Sequence, residues 1–140
     1  MAIENSTVTV ETSCETDIIN ITGQIERHVS RLSAGDGLVL VFIAGSTAAL
    51  TTIEYESGVV RDLAQAIERI APRDIAYDHD KRWADGNGYA HVRAALLGPS
   101  LAIPLIGGRM HLGTWQQIVL CDFDNRPRMR DIFIQVYTSE

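Results

Sequence analysis

The sequence feature that most constrains the fold is an unbroken apolar run, LVLVFIA, at Leu38–Ala44. The run is far too short to cross a bilayer, which takes about 20 apolar residues in a helix. Gly37 precedes it and Gly45 follows it. A short apolar run between turn residues indicates a strand. Its lack of alternation predicts a central strand that is buried on both faces.

Other segments carry the periodicities of strands and helices. Alternating side chains predict half-buried strands at Thr7–Thr12 and Arg130–Tyr137. Apolar residues at helical spacing predict a helix after Thr22 and another between Ser57 and Pro72. A shorter helix is expected at about Ala90–Leu97. The full pattern, about eight strands and three helices, predicts a single α+β domain over residues 1–140 that contains a mixed, largely antiparallel β-sheet sandwich.

Charge and composition exclude several classes of protein. The net charge of −6 disfavours sequence-independent binding of nucleic acid. No segment predicts a membrane span, and the first residues lack the basic and apolar regions of a signal peptide, so we expect a cytoplasmic protein. Cys14 and Cys121 are far apart and match no catalytic-cysteine signature, so we expect both thiols to be free.

The chemistry is expected in the polar segment Tyr77–Ser100, which contains two of the four histidines, His79 and His91. Asp85 and Asn87 lie between them, next to glycines that allow the backbone to turn. Imidazole nitrogens and carboxylate oxygens from different segments suit a divalent metal, and the same groups suit acid–base catalysis. The alternative is a solvated acidic loop in which Asn87 only serves the turn.

Two segments near the apolar run are further candidates. Ser46 and Thr47 follow the strand and could offer hydroxyl and backbone donors to an anion, or could form only a bulge. Glu54 and Glu56 lie on one face of a predicted strand. One of them could be a general base or metal ligand if that face lines a cleft, and otherwise the face is solvated.

Two candidates lie further along the chain. Thr114, Trp115 and Gln116 follow Gly113 and could line a binding pocket with a flat apolar wall, or Trp115 could belong to the core. Arginines 126, 128 and 130 surround Pro127. One of these arginines could bind phosphate through its guanidinium fork, or all three could be surface charge on a turn.

Five fragments in order resemble the YjbQ-like family, whose members are often described as secondary thiamine-phosphate synthases. They are GSTAALTTIEYE, the Tyr-x-His-Asp of 77–80, DGNGYAHVRAALLGPSLAIP, LGTWQQI and FDNRPRMR. The resemblance extends from about Asp17 to Val136. It implies a small α/β domain that assembles as a homotrimer.

The resemblance also implies residue roles. It implies a metal, often zinc, bound by His79 and His91 with Asp85 and Asn87 beside them, whereas the chemistry alone also allows magnesium. Many members have His-Thr-Thr where this chain has Gly45-Ser46-Thr47, so a third histidine ligand is missing here.

The reaction that the resemblance implies joins a pyrimidine-methyl diphosphate to a thiazole phosphate and releases pyrophosphate. On this expectation His79, His91, Asp85 and Glu54 are the catalytic or metal-binding candidates. The candidates for contacting the substrate or its phosphates are Ser46, Thr47, Asn87, Thr114, Trp115, Gln116 and Arg126. Two other functions stay open: a metal-assisted hydrolase or lyase of a small phosphorylated metabolite, and a non-catalytic trimeric ligand-binding protein.

Overall fold

A computed structural model of the chain describes residues 1–13, 15–32 and 35–139. Cys14 lies outside these residues, whereas Cys121 is a buried free cysteine, as expected. The strands are β1 (Ala2–Glu11), β2 (Asp17–Asn20), β3 (Gly37–Ile43), β4 (Ala48–Glu54), β5 (Ser100–Ile106), β6 (Arg109–Met110), β7 (Gln116–Asp122) and β8 (Met129–Thr138). The helices are α1 (Thr22–Leu32), α2 (Ser57–Ile70), α3 (Asp78–Trp83) and α4 (Gly88–Leu97).

The strands form two sheets in which neighbouring strands are antiparallel. The larger sheet has the order β1-β8-β3-β5-β6 and the smaller has the order β2-β7-β4. The predicted α+β class and antiparallel sandwich are therefore confirmed. No helix in the described part of the chain is long and apolar enough to span a membrane.

Two expectations about individual elements were wrong. No helix was predicted between the one that ends before Pro72 and the one at about Ala90–Leu97, but Asp78–Trp83 forms the additional helix α3. Strand β3 is central in its sheet, between β8 and β5, but it is buried on one face only. On its outer face, Leu38 and Phe42 are 39% and 37% exposed. Because both faces of β3 carry apolar residues, the sequence did not indicate which face is exposed.

Strand β7 explains why the molecule has three layers. Ile118 and Leu120 point between the two sheets, into a core that α1 completes. Val119, Cys121 and Phe123 belong instead to a second core, which includes Ile67 of α2 and Ala90 of α4. The smaller sheet is therefore the middle layer. Burying both of its faces removes a large apolar area from water, at about 25 cal/mol per Å².

A buried arginine fixes α4 in the second core. Arg93 is only 1% exposed and lies 4.9 Å from the ring centre of Tyr89 and 5.9 Å from that of Phe123. Its guanidinium donates to the backbone oxygen of Ala71 and to Thr16, and it pairs with Glu68. Because Glu68 lies in α2, Ala71 follows it and Thr16 precedes β2, Arg93 ties α4, which carries His91, to these segments.

The approach of α4 to α3 requires a glycine. A Cβ at Gly88 would lie 2.4 Å from the Cβ of Tyr77. We expect Gly88→Ala to lower the free energy of unfolding by about 1–3 kcal/mol, because the helix must shift. The matched control is Gly23→Ala in α1, where the nearest atom is the Arg27 guanidinium at 3.7 Å. It should raise stability by about 0.4–1 kcal/mol. Urea unfolding measures both, and equal changes would contradict the close-approach argument.

Candidate functional site

His79, Asp85 and His91 converge at the turn between α3 and α4. The Nε2 atom of His79 lies 3.2 Å from an Asp85 carboxylate oxygen, and the two imidazole ring centres are 4.4 Å apart. One ligand atom from each of the three residues lies within 4.8 Å of the other two. His79 and Asp85 keep 31% and 43% of their side chains exposed, so the cluster opens to solvent.

These three residues can reach one divalent cation only if their side chains move together. Nitrogen and oxygen ligands bind zinc at about 2.0–2.2 Å in a tetrahedral arrangement, so two ligand atoms on one ion are about 3.3–3.6 Å apart. Rotation of the partly exposed side chains of His79 and Asp85 would have to close a difference of up to about 1.5 Å. The backbone N–H of Asn87 holds the pKa of Asp85 below its ordinary value, and the hydrogen bond with His79 acts in the same direction. Asp85 is therefore an anionic ligand near neutral pH.

The sequence ADGNG forms the turn that brings the three side chains together. Ala84 adopts a left-handed conformation, with φ of 54°, and ends α3. Gly86 has φ of 69°, which glycine adopts without strain. The Asp85 side chain accepts from the backbone of Asn87, and Asp80 accepts from that of Gly88. Backbone and side chains thus fix the loop that separates His79 from His91.

Asparagine side chains tie this turn to the loop between β7 and β8. The amide of Asn125 donates to the backbone oxygen of Asp85 at 2.8 Å. The side-chain oxygen of Asn87 accepts from the backbone of Asn125 at 3.0 Å, and its amide contacts Asp124 at 3.4 Å. Asn87 is only 7% exposed, so it joins two loops within the protein as well as shaping the turn.

Two fully buried carboxylates anchor the β7–β8 loop. Asp122 accepts two hydrogen bonds from Arg130, at 2.8 and 2.9 Å, and one from Thr12. Asp124 accepts from Arg128 at 3.1 Å and from the hydroxyl of Thr47 at 2.9 Å. Both carboxylates are 0% exposed, and paired buried charges of this kind are costly to break.

Hydrogen bonds determine the protonation state of Asp124. Burial alone would raise its pKa, but donors from Arg128, Thr47 and Asn87 outweigh burial and hold the pKa below its ordinary value. Asp124 is therefore ionised near neutral pH. It contacts the α3–α4 turn through Asn87 and the segment after β3 through Thr47, so one carboxylate connects three loops.

The structure separates the predicted site residues into two groups. Asn87, Ser46 and Thr47 belong with the loops joined by Asp124, and Ser46 is the exposed member. The second group lies at the ends of β4 and β7 that are remote from these loops. It consists of Glu54, Thr114, Trp115 and Gln116. Six residue steps along β7 correspond to about 20 Å. Within a single chain, the two groups of candidate residues therefore lie apart from each other.

Several side chains have roles that the sequence did not indicate. The carboxylate of Glu56 caps α2 by accepting from Gly58 and Val59, at 2.7 and 3.0 Å. Trp115 is 72% exposed and so is not in the core. The Arg126 side chain is exposed and makes no ion pair with the described residues, unlike Arg130.

Sequence reasoning missed the buried carboxylates and their partners. Asp122 continues the inward row of Ile118 and Leu120, and Arg130 continues the inward row of Ile132 and Ile134. A charged residue at an inward position on each of two predicted strands was the available signal. Extending the period-2 pattern past the apolar residues would have paired them.

The comparison with known proteins assigns a family. The sequence model described as UPF0047 protein YjbQ-like matches residues 6–139. This chain belongs to the YjbQ-like family. A UPF0047 protein of Archaeoglobus fulgidus is 39% identical over 128 residues, covering 91% of this chain and 97% of that protein. One from Methanothermobacter thermautotrophicus is 34% identical over 136 residues, covering 97% and 93%.

Solved structures of similar proteins share the YjbQ-like fold. A YbjQ-like protein of unknown function from Sulfolobus solfataricus has a TM-score of 0.88 at 27% identity, covering 99% of this chain and 100% of its own. A hypothetical protein from Aeropyrum pernix has a TM-score of 0.90 at 29% identity, covering 97% and 99%. The family and its fold are thus shown, and the family description names no reaction.

Substitution of Asp124 tests its connecting role. We expect Asp124→Asn to lower the free energy of unfolding by about 1–3 kcal/mol near neutral pH, because the buried carboxylate accepts hydrogen bonds from Arg128, Thr47 and Asn87 that a neutral amide cannot all replace. The matched control is Asp131→Asn on the exposed face of β8, which should change stability by at most about 0.5 kcal/mol. Denaturant unfolding measures both variants.

The pH dependence of Asp124→Asn follows from the lowered pKa of Asp124. The stabilisation by an ionised Asp124 is fully present above the unfolded-state pKa, near 3.8, and is lost as the pH falls through the lower folded-state pKa. The stability difference between wild type and Asp124→Asn should therefore shrink below about pH 4. A difference that stays constant down to pH 2 would contradict an ionised Asp124.

Proposed function

We propose that this chain binds a divalent cation through His79, Asp85 and His91 and uses it to act on a small phosphorylated metabolite. The convergence of these three side chains at one exposed turn is the observation that carries the proposal. Two imidazoles and one carboxylate favour zinc over magnesium, because magnesium prefers oxygen ligands. Three protein ligands also leave coordination positions for substrate, which is the arrangement of catalytic zinc sites.

The protein groups around the cluster have separate tasks in this proposal. The metal, when bound, would supply a Lewis acid that stabilises negative charge on a departing phosphate or diphosphate. Asp85 reduces the net charge of the site and is held in place by the backbone N–H of Asn87. The buried Asn87 fixes the turn so that His79 and His91 keep their separation, a supporting contact of the kind that commonly orients metal ligands.

Within this class, we propose the reaction that the family resemblance implies. The bond between the pyrimidine methylene carbon and the diphosphate oxygen breaks, and pyrophosphate leaves with that electron pair. The thiazole nitrogen supplies the pair for the new carbon–nitrogen bond. A flat pocket for the pyrimidine is also needed, and Trp115 is 72% exposed and able to provide a wall. If this transfer is absent, metal-assisted hydrolysis or lyase chemistry is the alternative.

The transfer reaction also requires assembly. Trp115 and Glu54 lie at the ends of β7 and β4 that are remote from the histidines. A neighbouring copy in a homotrimer would bring this remote end to the metal cluster, as sites between subunits do. We therefore propose a homotrimer with composite sites. Light scattering should give three times the chain mass of 15.4 kDa, and a monomer would remove the composite site.

Metal content tests the proposed ligands. We expect near-stoichiometric zinc in the purified, untagged protein, and loss of most of it in His79→Ala and in His91→Ala, because two remaining ligands bind zinc weakly. The matched control is His111→Ala, an exposed histidine outside the cluster, which should retain the metal. Inductively coupled plasma mass spectrometry measures the content. Equal metal in all variants, or none in wild type, would contradict the proposal.

Two exposed tryptophans test the composite site. Incubation of the protein with both phosphorylated substrates should yield thiamine phosphate. Trp115→Ala should raise KM for the pyrimidine substrate about tenfold, because aromatic stacking contributes about 1–3 kcal/mol. Trp83, which is 66% exposed and ends α3 near His79, is the comparison. If KM for the pyrimidine substrate rises in Trp83→Ala and not in Trp115→Ala, the pyrimidine pocket lies within one chain. No product with wild type would reject the transfer and leave the alternatives.

A further inference from the structure

Alternate residues of each strand point into the core between the two sheets and form apolar rows. At one end of the sandwich these rows end in polar side chains, which together form a polar layer, and one row ends in a glycine that leaves a gap in this layer. The inward row of β1 ends at Thr12, that of β7 at Asp122 and that of β8 at Arg130, and Asp122 accepts hydrogen bonds from both of the others. The inward row of β3 ends at Gly45, which has no side chain. A Cβ at Gly45 would meet a single atom within 4 Å, Nη1 of Arg130, at 3.4 Å. The gap is therefore open space against that nitrogen.

Arg130 has donors to spare on the side that faces this gap. Its Nε and Nη2 atoms donate to Asp122 at 2.8 and 2.9 Å, and Nη2 also donates to Thr47 at 2.8 Å. Within the described residues its Nη1 atom donates to nothing. The side chain is only 11% exposed, so the guanidinium is held rigidly while one nitrogen stays available.

The groups around the gap include further unused donors. The oxygens of Asp122 and Asp124 already accept hydrogen bonds from arginine, threonine and backbone groups. The hydroxyl of Thr47 donates to Asp124, so its proton is used. Ser46 is exposed, and in the described part of the chain neither its hydroxyl nor the N–H groups of Gly45 and Ser46 make a hydrogen bond. Such a set of unused donors suits an oxyanion.

We propose that Arg130 Nη1, Ser46 and the Gly45–Ser46 backbone bind a phosphate group of the substrate in the gap left by Gly45. This inference rests on the proposed function and assigns the residues that hold its phosphate. Arg130 takes the part expected of Arg126, because Arg130 is oriented by buried carboxylates and Arg126 is not. Asp124 contacts both Thr47, beside the gap, and Asn87, in the turn that carries Asp85. Gly45 leaves the space open, and its φ of 148° is one that residues with a side chain rarely adopt.

Calorimetric titration with inorganic phosphate, on metal-free protein in EDTA, tests the site. We expect measurable binding to wild type, at least tenfold weaker binding to Arg130→Lys, and about threefold weaker binding to Ser46→Ala. Lysine keeps the positive charge but not the spare nitrogen of the guanidinium. The matched control is Arg126→Gln, which removes an exposed charge from the same loop and should bind phosphate like wild type.

The same titration separates this inference from the metal proposal. His79→Ala should bind phosphate like wild type in EDTA, whether or not the cluster holds a metal. No phosphate binding by metal-free wild type would overturn the anion site, as would equal weakening by Arg126→Gln and Arg130→Lys. If Arg130→Lys does not fold, the exposed Ser46→Ala decides. Unchanged phosphate binding by Ser46→Ala would then overturn the anion site as well.

Discussion

The buried ion pair between Asp122 and Arg130 closes one end of the sheet sandwich, and the loops at that end depend on it. Burying two charges costs several kcal/mol each, and the cost is offset only when geometry and additional hydrogen bonds are good. Here Thr12 and Thr47 supply those hydrogen bonds. The apolar core ends at a layer of polar groups that are hydrogen-bonded to one another, so the loops next to this layer are held rigidly.

Asp124 extends this layer from the fold to the candidate metal cluster. It is bonded to Thr47 after β3, to Arg128 in its own loop and to Asn87 in the α3–α4 turn. The histidines are half-exposed on short helices, so they have few apolar contacts of their own to fix them. The buried carboxylate of Asp124 fixes Asn87, and Asn87 fixes the turn between the two histidines. These contacts explain how a solvent-exposed cluster can stay preorganised.

The sequence predicted most elements because their periodicities were clear, and the α+β sandwich followed from their order. It missed α3, since Asp78–Trp83 is polar and buries none of its residues, which leaves no apolar stripe to detect. The proximity of His79 and His91 could be predicted because both lie in one short segment. The distance between Trp115 and that cluster could not be predicted. It depends on which end of β7 lies near the cluster, and strand direction cannot be deduced from composition.

The aliphatic composition of the core between the sheets has an evolutionary consequence. Valine, isoleucine and leucine make up most of its buried residues, and cores tolerate exchanges among such residues when volume is kept. The interior can therefore change in sequence without a change of fold. Relatives that share only 27–29% of their residues with this chain yet superpose with TM-scores of 0.88–0.90 are compatible with such exchanges.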